Sequence, residues 1–97
     1  MIEYTPPSAD DLQRLKTQLG FSGAQMAELA SVASGAQWRK YTNGNAPRNI
    51  NLHMLFFIAA RLELSQEALN AVCKRMQLLG AQLNNDKAIS SVAADEL

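Results

Sequence analysis

One cysteine and one histidine are all this chain has of the residues that most often bind metals. Cys73 has no partner for an internal disulfide, and nothing resembles a zinc-ligand spacing. A lone thiol on an apolar helix face fits a small buried hydrophobe in a reducing compartment. His53 opens an apolar helical stretch with no acid or nucleophile placed to work with it. Together with the absence of clustered carboxylates and of a phosphate-binding loop, this leaves no general acid/base pair, so no enzyme and no cofactor is expected. β-Branched residues are few and no segment alternates with period two, which argues against sheet and for an all-α domain. Long apolar runs are missing as well. The richest, Leu52 to Ala60, falls far short of the roughly 20 residues that span a bilayer. Met1 to Asp10 has neither a basic start nor an apolar run of the kind that directs secretion, so a soluble cytoplasmic protein is expected.

Net charge is also missing: the 97 residues balance nine cations against nine acids. The balance hides an uneven distribution. Residues 1–28 carry −2 and residues 63–97 carry −2, whereas residues 29–62 hold Arg39, Lys40, Arg48 and Arg61 with no acid, a local +4. A basic centre between acidic flanks suits a small reader of nucleic acid, since only the docked face has to attract phosphate.

What is present is a series of serine-started helices. Pro6-Pro7 delays the first start, and Ser8 caps helix 1, with Asp10 and Asp11 in its first turn and Gly20 at its end. Ser22-Gly23-Ala24-Gln25 and Ser34-Gly35-Ala36-Gln37 are both Ser-x-x-Gln, the pattern of a capping box. They predict helix 2 over Ser22 to about Ala30 and helix 3 over Ser34 to about Thr42. Two short helices joined by about three residues form a helix-turn-helix, whose second helix commonly lies in the DNA major groove. Trp38 and Tyr41, three apart, should turn inward, leaving Gly35, Ala36, Arg39, Lys40 and Asn43 on the opposite face with Gln37 beside it. Asn43 to Pro47 is dense in turn formers. Helix 4, from near Asn51 through Leu62, is apolar almost all round and is expected at the buried centre. Ser65 caps helix 5, where Leu69, Val72, Met76, Leu79 and Leu83 form an a/d seam of two heptads with Gly80 off the seam. Residues 84–97 are small, polar and mildly acidic, and are expected as a frayed tail or, through Ile89 and Val92, a weak helical extension.

These residues resemble the lambda repressor/Cro-type, or Xre-type, helix-turn-helix family of phages and mobile elements. The resemblance rests on the Ser22 cap, Ala27, Leu29, Val32 in the turn, and the Trp38-Arg39-Lys40-Tyr41-x-x-Gly44 close, over roughly residues 8–64. Ser31 stands where those domains usually have glycine, and Gly23 where they usually have glutamine. Eleven residues separate Ala27 from Trp38, one more than is usual. The resemblance implies a five-helix DNA-binding domain with helices 2 and 3 as the reading unit, and here an extended C-terminal helix over residues 65–83. It implies a transcriptional regulator, a repressor acting as a homodimer on a palindrome.

In that reading Arg39 contacts a base, because its planar fork can bond guanine at two points. Lys40 and Arg48 clamp phosphates, Gln37 and Asn43 reach bases or serve locally, and the amides near Ser22 and Gly23 hold a phosphate. Ser34, Gly35 and Ala36 bring the start of helix 3 close to the base edges. The Leu69/Val72/Met76/Leu79/Leu83 stripe either pairs two copies or closes the core of one. A second expectation keeps the fold and makes it a protein-interaction module, such as an antitoxin or accessory factor.

Overall fold

The computed structural model describes residues 1–83 and 89–92. Among them are five α-helices and no strand: α1 (Ala9–Leu19), α2 (Gly23–Ala30), α3 (Gly35–Arg39), α4 (Leu52–Glu63) and α5 (Gln66–Leu78). None is long and apolar enough to cross a membrane. The chain forms two compact units, Met1–Phe56 and Phe57–Leu97, dividing within α4.

The helices begin where short-range chemistry dictates. Ser8, Ser22, Ser34 and Ser65 each accept a hydrogen bond from the backbone N–H three residues on, satisfying one of the helix's orphan donors. At Ser8 the reciprocal partner is Asp11, whose carboxyl is held below its usual range by the Ser8 backbone N–H and side chain, with Arg14 adding to the effect. Asn51 starts α4 in the same way, its Oδ1 accepting from the Met54 N–H at 2.8 Å.

Three helices end by one device. After α1, α2 and α5, a residue turns left-handed and the following N–H reaches back five residues: Phe21 to the Lys16 carbonyl, Val32 to Ala27 and Ala81 to Met76. The left-handed residues are Gly20 (φ 69°), Ser31 (φ 59°) and Gly80 (φ 109°). Ser31 therefore occupies a site whose backbone favours glycine.

The same bonds correct two helix boundaries. Gly80 does not ride along a longer helix 5; it terminates it, so Leu79 lies in the cap and Leu83 beyond the helix. The expected two-heptad seam is cut short. Helix 3 stops at Arg39 rather than near Thr42, where the Lys40, Tyr41 and Thr42 N–H groups bond three residues back, to Gln37, Trp38 and Arg39, instead of four. Tyr41, Thr42 and Asn43 instead close tight turns onto Trp38 and Arg39.

In the first unit the buried apolar residues are Leu12, Met26, Ala27, Leu29, Ala30, Trp38 and Ile50. Trp38 meets Tyr41 at 6.4 Å between ring centroids, tilted by 47°. The N-terminal strand of chain is fixed by the Tyr4 hydroxyl, which donates to the Ile50 carbonyl at 2.7 Å. In the second unit Ile58, Leu69 and Cys73 are buried. The expectation that α4 is buried on all sides is not met: only Ile58 and Arg61 are buried, and Phe56 is 71% exposed. A chain this small has too few elements to surround any one helix.

Residues 89–92, expected as part of a frayed tail, are hydrogen-bonded to α4 and α5. The last turn of α4 leaves carbonyls without helical partners and has no glycine to turn the chain back on them. Val92 N–H donates to the Arg61 carbonyl at 2.7 Å, and the Ser91 hydroxyl donates to the Leu64 carbonyl. The remainder of the expected tail, 84–88 and 93–97, lies outside the described residues.

Candidate nucleic-acid interface

α2 and α3 pack directly on each other, and their starts approach closely because two glycines meet there. A Cβ on Gly35 would lie 3.3 Å from the Gly23 carbonyl carbon and 3.4 Å from the Ala24 nitrogen, so no side chain fits without moving backbone. A Cβ on Gly23 would meet only the Arg39 guanidinium and, at 4.0 Å, the Gly35 Cα, so the close approach requires glycine at 35 and not at 23. The Arg39 guanidinium lies over both: Nη1 would be 3.3 Å from a Cβ at Gly23 and 3.2 Å from one at Gly35.

Arg39 thus stands at the start of α2, where unsatisfied amides and the helix dipole already favour negative charge. Among the described residues no carboxylate is paired with it. The salt bridge seen among the described residues joins Arg14 to Asp11, at 2.9 Å. Arg39, Gly23, Trp38, Thr42 and Asn43 border a hollow of about 220 Å³ with Gln13 and Lys16 from α1. Trp38 is 1% exposed, and its Nε1–H finds no acceptor among the described residues. A donor left so costs about 1–3 kcal/mol.

The expected site residues divide. Ser22, Ser34, Ala36, Gln37, Arg39, Lys40, Asn43 and Arg48 are exposed and Gly35 is half-buried. Arg39 and Asn43 come together at the hollow. Arg48 borders a second cleft, of about 290 Å³, with Pro7, Ser8, Asp10, Tyr41 and Pro47. The Gln37 amide is not drawn into a second capping box: Ser34 accepts the Gln37 N–H at 3.3 Å, but the reciprocal bond present at α1 and α2 is missing. Asn43 is partly committed, its Oδ1 accepting from Thr42 Oγ1 at 2.9 Å and from Gln13 Nε2 at 3.4 Å.

Comparison with family models, curated proteins and solved structures found no match. The site stands on its own geometry.

Two residues of the hollow escape a reading centred on helix 3. Lys16 and Gln13 belong to α1, and only the fold brings them beside Arg39. Lys16 does leave a trace in the sequence: no acid lies three or four residues from it, whereas Arg14 has Asp11. Arg61, counted in the basic centre, drops out. It is 4% exposed and bonds the Ser90 carbonyl and hydroxyl, at 2.8 and 2.9 Å.

Proposed function

We propose that this chain is a DNA-binding transcriptional regulator of lambda repressor-like helix-turn-helix type. In this reading it is a non-catalytic cytoplasmic repressor that works as a homodimer on a palindromic site. One observation carries the reading: Arg39, exposed and without an acidic partner among the described residues, lies over the glycine contact where α2 begins, beside Lys16. Cations at a helix start form a phosphate site, and a phosphate there would fix the register of the duplex. From that anchor the exposed Ala36 and Gln37 of α3, and Lys40 just past its end, are free to meet base edges or the adjoining backbone, with Arg48 as a further backbone contact. A single unit of this size covers few base pairs, so two copies are needed for a useful site.

The resting pose of Arg39 favours backbone clamping over the base contact expected from its residue type. The two roles separate experimentally. Binding to a sequence selected from a random duplex pool, followed over a salt series, should show a steep salt dependence. With Arg39→Ala as a clamp, affinity falls about tenfold on every sequence and the salt slope shrinks by about one. With Arg39 as a base reader, discrimination is lost at one position of each half-site. Unchanged affinity and slope would overturn the assignment.

The second reading, a protein-interaction module such as an antitoxin or accessory factor, is favoured by apolar exposure on α5. Val72, Leu78 and Leu79 are 45%, 71% and 79% exposed. Weak DNA binding indifferent to salt would select it.

A further inference from the structure

Asn43 and Gly44 make the one Asn-Gly pair in the sequence, and the fold places it in the turn after α3, at the rim of the cationic hollow. In such a pair the glycine nitrogen can attack the asparagine side-chain amide, because no Cβ on the glycine hinders the approach. The turn leaves the reacting groups open. Both residues are exposed. Gly44 has φ 93°, and a Cβ built on it would meet nothing within 4 Å. The Asn43 N–H is anchored on the Arg39 carbonyl at 2.9 Å, but the Gly44 N–H has no acceptor among the described residues and is free to lose its proton. Asn43 Oδ1 already accepts from Thr42 Oγ1 at 2.9 Å and, over a longer 3.4 Å, from Gln13 Nε2. Those donors stabilise the negative charge that the oxygen gains when its carbon is attacked.

We propose that Asn43 is a self-modification site, converted with water alone from an amide to a carboxylate beside Lys16 and Arg39. Base removes the Gly44 N–H proton, and the nitrogen forms a bond to Asn43 Cγ. The Cγ–Nδ2 bond breaks, and Nδ2 takes up a proton and leaves as ammonia. Water then opens the resulting succinimide at either carbonyl, giving aspartate or isoaspartate at position 43. The sum is amide plus water to carboxylate plus ammonium, with no change of oxidation state.

The position gives the reaction a consequence. Lys16, Arg39 and Asn43 border the same hollow, so the new charge faces the two cations from within their own unit. It would occupy them in place of a phosphate. This consequence rests on the DNA-binding reading above, whereas the chemistry does not. An ageing chain would let go of DNA without any second protein acting on it.

The experiment is incubation of the full chain in mildly alkaline buffer, with peptide mapping by mass spectrometry at intervals. Asn43 should change from amide to acid about tenfold faster than Asn45, Asn49, Asn51 or Asn70, each of which precedes a residue with a side chain. The rate should rise with pH. Isoaspartate should accompany aspartate, since direct hydrolysis of the amide gives aspartate alone. Gly44→Ala should slow the change about tenfold. Asn43→Gln, whose longer side chain closes a ring far more slowly, is the second control if Gly44→Ala loosens the turn by circular dichroism. In the salt series on the selected duplex, the aged chain and Asn43→Asp should each bind about tenfold more weakly than fresh protein, with a salt slope smaller by about one. Asn43→Gln should hold its starting affinity through the same incubation. An Asn43 amide that persists, or that converts no faster than the other asparagines, would overturn the site. Conversion with unchanged affinity and slope would overturn its consequence. Fresh protein that binds no duplex would sink the DNA-binding reading, and the peptide map would still decide the modification.

Discussion

Arg39 in the first unit and Arg61 in the second contribute equally to the basic centre of the sequence, yet the fold gives them opposite work. Arg39 is exposed over two glycines with no acid among the described residues to meet it, whereas Arg61 is 4% exposed and bonded to Ser90. The difference lies in their surroundings. The Ser90 carbonyl and hydroxyl, from a distant segment, converge on Arg61, while the start of α2 offers Arg39 amide donors that cannot satisfy a cation. A charge without acceptors within its own unit is available to something outside it.

The largest test of this contrast is stability. Arg61→Met should cost about 3 kcal/mol in urea unfolding, since it strands Ser90 and loosens the segment that caps α4. Arg61→Lys should recover little of it, because an ammonium cannot reproduce the guanidinium fork. Arg39→Met should stay within about 0.5 kcal/mol of wild type. Equal costs for the two methionine variants would break the comparison.

The glycine contact under Arg39 sharpens it at a smaller scale. Gly35→Ala forces a Cβ against the backbone of Gly23 and Ala24 and should cost about 1–3 kcal/mol. Gly23→Ala meets first the flexible end of Arg39, and should be neutral or stabilising by up to about 1 kcal/mol. Thermal denaturation of the two variants checks the order; if Gly23→Ala proved the more costly, the approach of the two helix starts would be misassigned.

The smallest effect concerns the turn that sets α3 against α2. Ser31→Gly relieves a left-handed serine and should raise stability by about 1 kcal/mol, a shift of several degrees in melting temperature. A lower melting temperature would show that the serine side chain contributes more than its backbone costs.

Much of the fold was legible because helix starts are local events. A serine and the amide three residues on are enough to place α1, α2, α3 and α5. Helix ends were less legible. Gly20 announced its stop, but Gly80 read as a tolerated interruption, because the seam around it remained regular in sequence. The end of α3 was hidden, since the bonds tighten from four residues to three at Lys40 to Thr42, where no glycine or proline marks a stop. At the candidate interface, the exposed residues of α3 follow from the inward spacing of Trp38 and Tyr41. Lys16 and Gln13 do not, since they join the hollow only through the packing of α1. The need for glycine at 35 was hidden as well, since the backbone it meets at Gly23 and Ala24 belongs to another helix.

By itself the sequence determined an all-helical chain, the serine at each of four helix starts and an acid-free basic centre, because capping and charge distribution depend on near neighbours or on none. Only the tertiary structure decided which cations remain available, whether Gln37 closes a box, and that residues 89–92 seat on α4 and α5. Those outcomes depend on donors and acceptors far apart in the chain, such as Arg61 and Ser90, 29 residues apart.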